Sequence, residues 1–232
     1  MGRTKIIFLF FIVAITLTGC AQKITYTLKD VPKVSSSIFK NKTLAVKEFQ
    51  DERTQTSRKG SWYLDKRIVK KDGKNWYCNH EKFYKNKKVA PAITKMLVKH
   101  LQHSELFQSV SLDNDGSLET DYVLEGTVSK FEGFKEQNAA AIVGTHFGLL
   151  GFLATSAIKS DYEATVMLIN VRLLRKGSER SVWEDSIKAT IQGEDYADAY
   201  GWTAYAKANL ALKEAVGKFI RGIQDETNFV QY

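Results

Sequence analysis

Cys20 and Cys78 are the two thiols of a 232-residue chain that also holds four histidines. Cys78-Asn79-His80-Glu81 places three metal-ligating residue types within four positions. A closed zinc site draws four ligands, usually from two separated clusters, and the chain has no second Cys/His cluster. No metal is expected there, and a basic loop is the simpler reading. His100 and His103 stand three apart in a helical stretch, where Gln102 and Ser104 point to a solvated face rather than a catalytic pair. The G-x-S-x-G elbow, the Walker loop, G-x-G-x-x-G and H-E-x-x-H are all absent. Gly148-Leu149-Leu150-Gly151 lacks the spacing and the following lysine that a phosphate cradle requires. A non-enzymatic protein with no cofactor is the expectation.

The chemistry that Cys20 does suit is acylation. Arg3 and Lys5 precede an uncharged run from Ile6 to Leu17, which at twelve residues is too short for an untilted span and fits a secretory h-region. It ends in Leu17-Thr18-Gly19-Cys20, which resembles the bacterial lipobox, where cleavage before the cysteine leaves its thiol carrying a diacylglyceryl group. The resemblance implies that residues 1–19 are a signal peptide and that membrane lipid is a partner through acylated Cys20. Several acyl chains, palmitate among them, would hold firmly where one does not, at about 0.8 kcal/mol per buried methylene. Ala21 and Gln22 follow in place of the aspartate that retains enterobacterial lipoproteins in the inner membrane. An envelope location facing the periplasm is implied, with the outer membrane favoured. With Cys20 acylated, no intramolecular disulfide is expected.

The composition, 44% hydrophobic and 26% charged, is that of a folded domain and excludes wholesale disorder. Its +8 net charge is unevenly spread. Residues 53–88 hold twelve Lys/Arg against three acids, or +9, whereas the remainder of the chain after residue 19 is slightly acidic. This basic insert interleaves aromatics, including Trp62 and Trp76 with Lys70 and Lys71. Export argues against nucleic acid, so the pattern suits a membrane headgroup region or a protein partner, or else a solvated insert whose aromatics pack on the domain.

A second insert spans 138–160. From Ala139 to Ile158 there are twenty residues without a formal charge, punctuated by Gly144, Gly148 and Gly151, which would allow close backbone packing. By length they could span a bilayer, but strands expected to pair with each other flank them. A folded-back hairpin against the domain, a partner or a leaflet is expected instead.

The elements that would carry these inserts follow from periodicity. Residues 20–40 read as a lipid-anchored tether with a short strand at 24–28. Residues 41–232 read as a single domain. Leu44 and Val46 share one face of a strand, and Pro91 opens a helix whose Ile93, Met96, Leu97 and Leu101 line one stripe. Further strands are expected at 121–131, 162–174 and 181–191, the last two joined through Gly177, and a final helix over 203–223. The expectation is an α+β fold: a mixed sheet of about four to five strands, with two main helices packed on one face.

The order and spacing of Tyr26-Thr27-Leu28, Leu44-Ala45-Val46, Ser104-Glu105-Leu106-Phe107, Asp121-Tyr122-Val123-Leu124, Val182-Trp183 and an Ala-rich last helix resemble the auxiliary lipoproteins of ABC-type, Mce-associated lipid transport systems. That resemblance implies an accessory role in an envelope assembly with protein partners. A rival resemblance, through Thr43-Leu44-Ala45-Val46, Phe49, Asp51 and the apolar insert, is to curli-secretion-type lipoproteins. It implies a homo-oligomeric outer-membrane pore.

Replacing Cys20 by Ser should abolish both fatty-acid labelling and lipid-dependent cleavage, read as retention of the precursor on gels. A processed species that still labels would overturn the anchor assignment.

Overall fold

A computed structural model of the chain describes residues 33, 38–53, 67–78, 89–113, 116, 118–148, 150–151, 157–178, 180–197 and 204–229. Cys20, the tether strand and Trp62 lie outside these residues. Eight strands form one mixed sheet: β1 (Thr43–Lys47), β2 (Gln50–Asp51), β3 (Arg67–Lys71), β4 (Lys74–Cys78), β5 (Ser109–Asp113), β6 (Tyr122–Glu136), β7 (Lys159–Arg175) and β8 (Ser181–Tyr196). The helices are α1 (Val89–Ser104), α2 (Ala139–His146) and α3 (Ala204–Phe229).

The class is therefore α+β, but the expected four to five strands and two helices are corrected to eight and three among the described residues. The difference has local causes. The basic insert, expected as a loop, contributes the β3–β4 hairpin. Asp72 and Gly73 both take positive φ (52° and 73°), the conformation of the two-residue turn that matches strand twist. The first strand breaks into the collinear β1 and β2, and the short β5 follows α1.

β6 organises the sheet. Its start pairs with β1 in parallel, its middle with β2 in parallel, and its end with β4 antiparallel. Its other edge pairs with β7 along nearly its whole length, and β7 pairs with β8. A line across the sheet near Tyr122 meets β5, β1, β6, β7 and β8; one near Glu136 meets β3, β4, β6, β7 and β8.

Both long helices cover this sheet and touch each other, α1 over β1, β2 and β5, α3 over β6, β7 and β8. Leu212, Ala215, Val216, Phe219, Ile220 and Ile223 form the buried stripe of α3, and Trp183 of β8 meets Phe219 edge-on at 5.4 Å. At the opening end of β6, Phe39 stacks on Phe107 at 5.0 Å and meets the Tyr122 ring edge-on at 5.0 Å. There Asp121 accepts the Thr43 N–H (2.9 Å), the Thr43 hydroxyl (3.0 Å) and Lys42 Nζ (3.2 Å), which hold its carboxyl below the usual range and join β6 to β1.

The solvated face expected for His100 is a further correction. His100 is 1% exposed, because it falls on the same helical stripe as Ile93, Leu97 and Leu101. Gln102 does point outward, donating from Nε2 to the Val110 carbonyl at 2.8 Å. Burial, with His103 and Lys213 nearby, pushes the His100 pKa from 6.5 down to about 4. The unfolded chain therefore takes up a proton between pH 6.5 and 4 that the folded chain refuses, and stability falls as pH drops through that window. The expected loss is on the order of 2 kcal/mol between pH 7 and 4.5, read by urea unfolding. His100→Gln should flatten the slope, and an unchanged slope would refute the assignment.

Candidate contact surface

The two inserts meet at one end of the sheet, where β6 finishes. The I′-type turn at Asp72-Gly73 lets β4 run back so that Trp76 pairs with Glu136, Tyr77 with Lys135 and Cys78 with Phe134. Gln137 N–H then bonds the Asn75 carbonyl at 2.7 Å, so the hairpin tip lies beside the start of the apolar insert.

Several cations of the basic insert are matched by acids of the sheet. Lys74 Nζ pairs with Glu136 at 3.0 Å and Asp161 at 3.1 Å, and those two carboxylates hold its ammonium above the usual lysine range. Lys71 pairs with Glu163, and Arg53 Nε with Asp51 at 2.8 Å. Exposed pairs of this kind each contribute less than about 1 kcal/mol, but they remove positive charge from what an outside surface meets. Of the residues singled out in sequence, Lys70 is exposed and Lys71 is engaged with Glu163. Trp76 is only 7% exposed, with its indole N–H donated to the Lys71 carbonyl at 3.3 Å.

The apolar insert begins with α2. Asn138 caps it, its Oδ1 accepting the N–H groups of Ala140 (3.0 Å) and Ala141 (3.2 Å). Gly148 has φ +63° and marks the reversal. Gly151 returns against Gly144 so closely that a Cβ there would lie 2.0 Å from the Gly144 carbonyl oxygen. The three glycines thus serve one tight turn within the chain. Among the described residues, no helix is long and apolar enough to cross a membrane. Ala141 is buried, but Val143, Phe147 and Leu150 are 55%, 71% and 79% exposed, an apolar tip.

A buried cationic cluster under this tip carried no motif in the sequence. Lys135 of β6 is fully buried, its Nζ 3.4 Å from the Ser160 carbonyl and 5.8 Å from the Tyr162 ring centre. Lys207 of α3 lies 4.1 Å from the same ring and 2.5 Å from Asp195, whose carboxyl its hydrogen bond lowers. The only signal available was the alternation of β6, which places Lys135 inward with Phe131 and Gly133. The cluster couples β6, β7, β8 and α3 below the insert, and it pairs no base with a nucleophile. Among the described residues no group of three His, Cys, Asp or Glu could hold a metal.

Gly151→Leu should open the turn, since the Gly144 carbonyl leaves no room for a side chain. Gly148→Ala meets open space and is strained only by its positive φ, at about 1 kcal/mol. Protease nicking within 144–157 should rise strongly in the first variant and weakly in the second; equal protection in both would remove the close-packed turn.

No protein-family model and no curated protein matches the chain. Among solved structures it is similar to a Xanthomonas campestris protein of the family DUF330, at 15% identity over 87% of this chain and 95% of that one, with a TM-score of 0.47. It is similar also to a PelC dodecamer structure from Paraburkholderia phytofirmans, at 10% identity over 83% and 96%, with a TM-score of 0.39. A candidate lipoprotein of Caulobacter crescentus shares 14% identity over 61% and 83%, with a TM-score of 0.30. All three scores lie below 0.5, so the likeness carries no conclusion about activity or assembly.

Proposed function

We propose that the protein is a non-enzymatic lipoprotein of the bacterial envelope, tethered through acylated Cys20 and serving as an accessory component of an envelope transport assembly. The observation that carries this reading is the exposed tip of Val143, Phe147 and Leu150. Leaving apolar area wet costs about 25 cal/mol per Å², so side chains this large and this exposed suit a surface that is covered when the protein works. The tip stands at the far end of β6 from Phe39 and Lys33, where the tether enters. Fifteen residues of strand separate the two by about 46 Å. A body anchored at one end and apolar at the other is built to reach a partner. Ala21 and Gln22 after the cysteine favour the outer membrane as the anchoring leaflet. A subunit of an oligomeric outer-membrane secretion pore is the second reading, favoured by the same tip if it enters a bilayer.

Phe147→Ser with Leu150→Ser should leave membrane fractionation and melting temperature near those of the parent while removing envelope proteins that co-purify with it. Cys20→Ser should do the reverse, releasing the protein from membranes. A tip variant that keeps every partner, or that unfolds, would refute the contact role. Vesicle insertion of the parent without any protein partner would select the pore.

A further inference from the structure

The end of the sheet where the tether enters is a cationic face, and we propose that it seats on the anionic headgroups of the leaflet that holds acylated Cys20. The proposal rests on the anchored reading above and adds the orientation of the body on its membrane. The registers Thr43–Ser109, Leu44–Tyr122, Tyr122–Arg175 and Leu174–Ser181 bring the starts of β1, β5, β6 and β8 and the end of β7 to one level. Beyond that level lie the turn at residues 38–41 and the turn between β7 and β8, which the Ser178 N–H closes on the Arg175 carbonyl at 3.0 Å. The Lys176 N–H bonds the Asp121 carbonyl at 2.9 Å and fixes this second turn beside the start of β6. Lys33 reaches the same end through its pair with Glu105, just after α1.

Lys40, Arg175, Lys176 and Arg180 are all exposed at this end. Among the described residues none of the four forms an ion pair, and Lys176 donates from Nζ to the Leu118 carbonyl. The acids nearby are mostly engaged: Asp121 by Lys42 and Thr43, Glu105 by Lys33, which leaves exposed Glu119. The tip end is the opposite case, since Lys71 and Lys74 there meet Glu163, Glu136 and Asp161. Lys40 precedes β1 and Arg180 precedes β8, three strand spacings apart, so the cations spread over about 14 Å. That width suits a surface of many headgroups better than one small anion. The chain itself brings the leaflet here. Thirteen residues lead from Cys20 to Lys33 and span at most about 45 Å, so the anchor keeps this end near the membrane at high effective concentration. Contacts that are weak singly then suffice, because each Lys or Arg beside an anionic leaflet strengthens attachment about fivefold. With this end down, Val143, Phe147 and Leu150 stand away from the membrane, where a partner can meet them.

The test places the full lipidated protein on preformed vesicles and reads acetylation of each lysine by a water-soluble reagent. Vesicles of phosphatidylcholine alone are compared with vesicles that also hold phosphatidylglycerol. Lys40 and Lys176 should react several-fold more slowly on the anionic vesicles. Exposed Lys70 at the tip end and exposed Lys188 of β8 should keep their rates. The protection should fade as salt rises. Arg175→Gln with Arg180→Gln, both at exposed turn positions, should remove most of it while the protein still floats with the vesicles. Equal rates at Lys40 and Lys176 on both lipids, protection of Lys70 in their place, or protection indifferent to salt would overturn the proposal. The anchored reading fails separately: a chain without acyl groups does not float with neutral vesicles, and Lys40 and Lys176 on anionic ones still decide the seat.

Discussion

The ladder between β6 and β7 is the constraint on which the remaining structure depends. β6 runs for fifteen residues and β7 for seventeen, paired antiparallel from Tyr122–Arg175 to Lys135–Tyr162 with two register shifts. β7 alone covers one edge of this strand, but the other edge is longer than β1, β2 or β4 can cover singly. Its free flank is shared out: β1 and β2 take the start and the middle, β4 the end. The bulges let each stretch keep its inward set, Leu124, Val128 and Phe131, under α1 and α3 despite the twist. Everything distinctive about the molecule hangs from the two ends of this strand. The aromatic closure and the Asp121 clamp sit at the first end. The hairpin and the apolar turn sit at the second.

The chain's strong local positive charge reads differently once this ladder is in place. The outer sheet face holds Glu125, Glu136, Asp161 and Glu163, and the incoming cations find them there. Lys47 and Arg172 share Glu125 at 3.1 and 2.6 Å, and though burial opposes it, their hydrogen bonds hold its carboxyl below the usual range. Lys71 pairs with Glu163 of β7, and Lys74 with Glu136 of β6 and Asp161 of β7, at the far end. Among the described residues, Arg53, Lys71 and Lys74 of the basic insert share one surface with the acids of the sheet. What projects beyond it is apolar or edge-like: the tip of the second insert, and the strands β3 and β8.

Much of the fold was legible in order and type. The Leu44–Val46 strand, the helix after Pro91, the hairpin through Gly177 and the last helix all exist, because their apolar residues recur at the period of the element they form. Less of the contact surface was legible. Gly144, Gly148 and Gly151 stood out by spacing, and the structure assigns them a turn. Trp76 stood out as an aromatic suited either to a membrane or partner contact or to packing on the domain, and it packs on the domain. His100 seemed flanked by polar neighbours, although the 3.6-residue repeat that placed Ile93 and Leu97 inside also places it there.

What the sequence by itself determined is what depends on near neighbours along the chain: the lipobox-like run Leu17-Thr18-Gly19-Cys20, the helical stripes, and the uncharged run of 139–158. Tertiary structure alone decided which long-range partner each element meets. The β3–β4 hairpin has no period-two pattern, since Lys70, Lys71 and Lys74 break it. It forms because β6 offers an open edge and acids at the right row. Lys135 is buried for the same kind of reason, with Tyr162 and the Ser160 carbonyl supplied from 25 or more residues away. Ion pairing and edge pairing act through space between residues far apart in sequence, and no local window contains both partners.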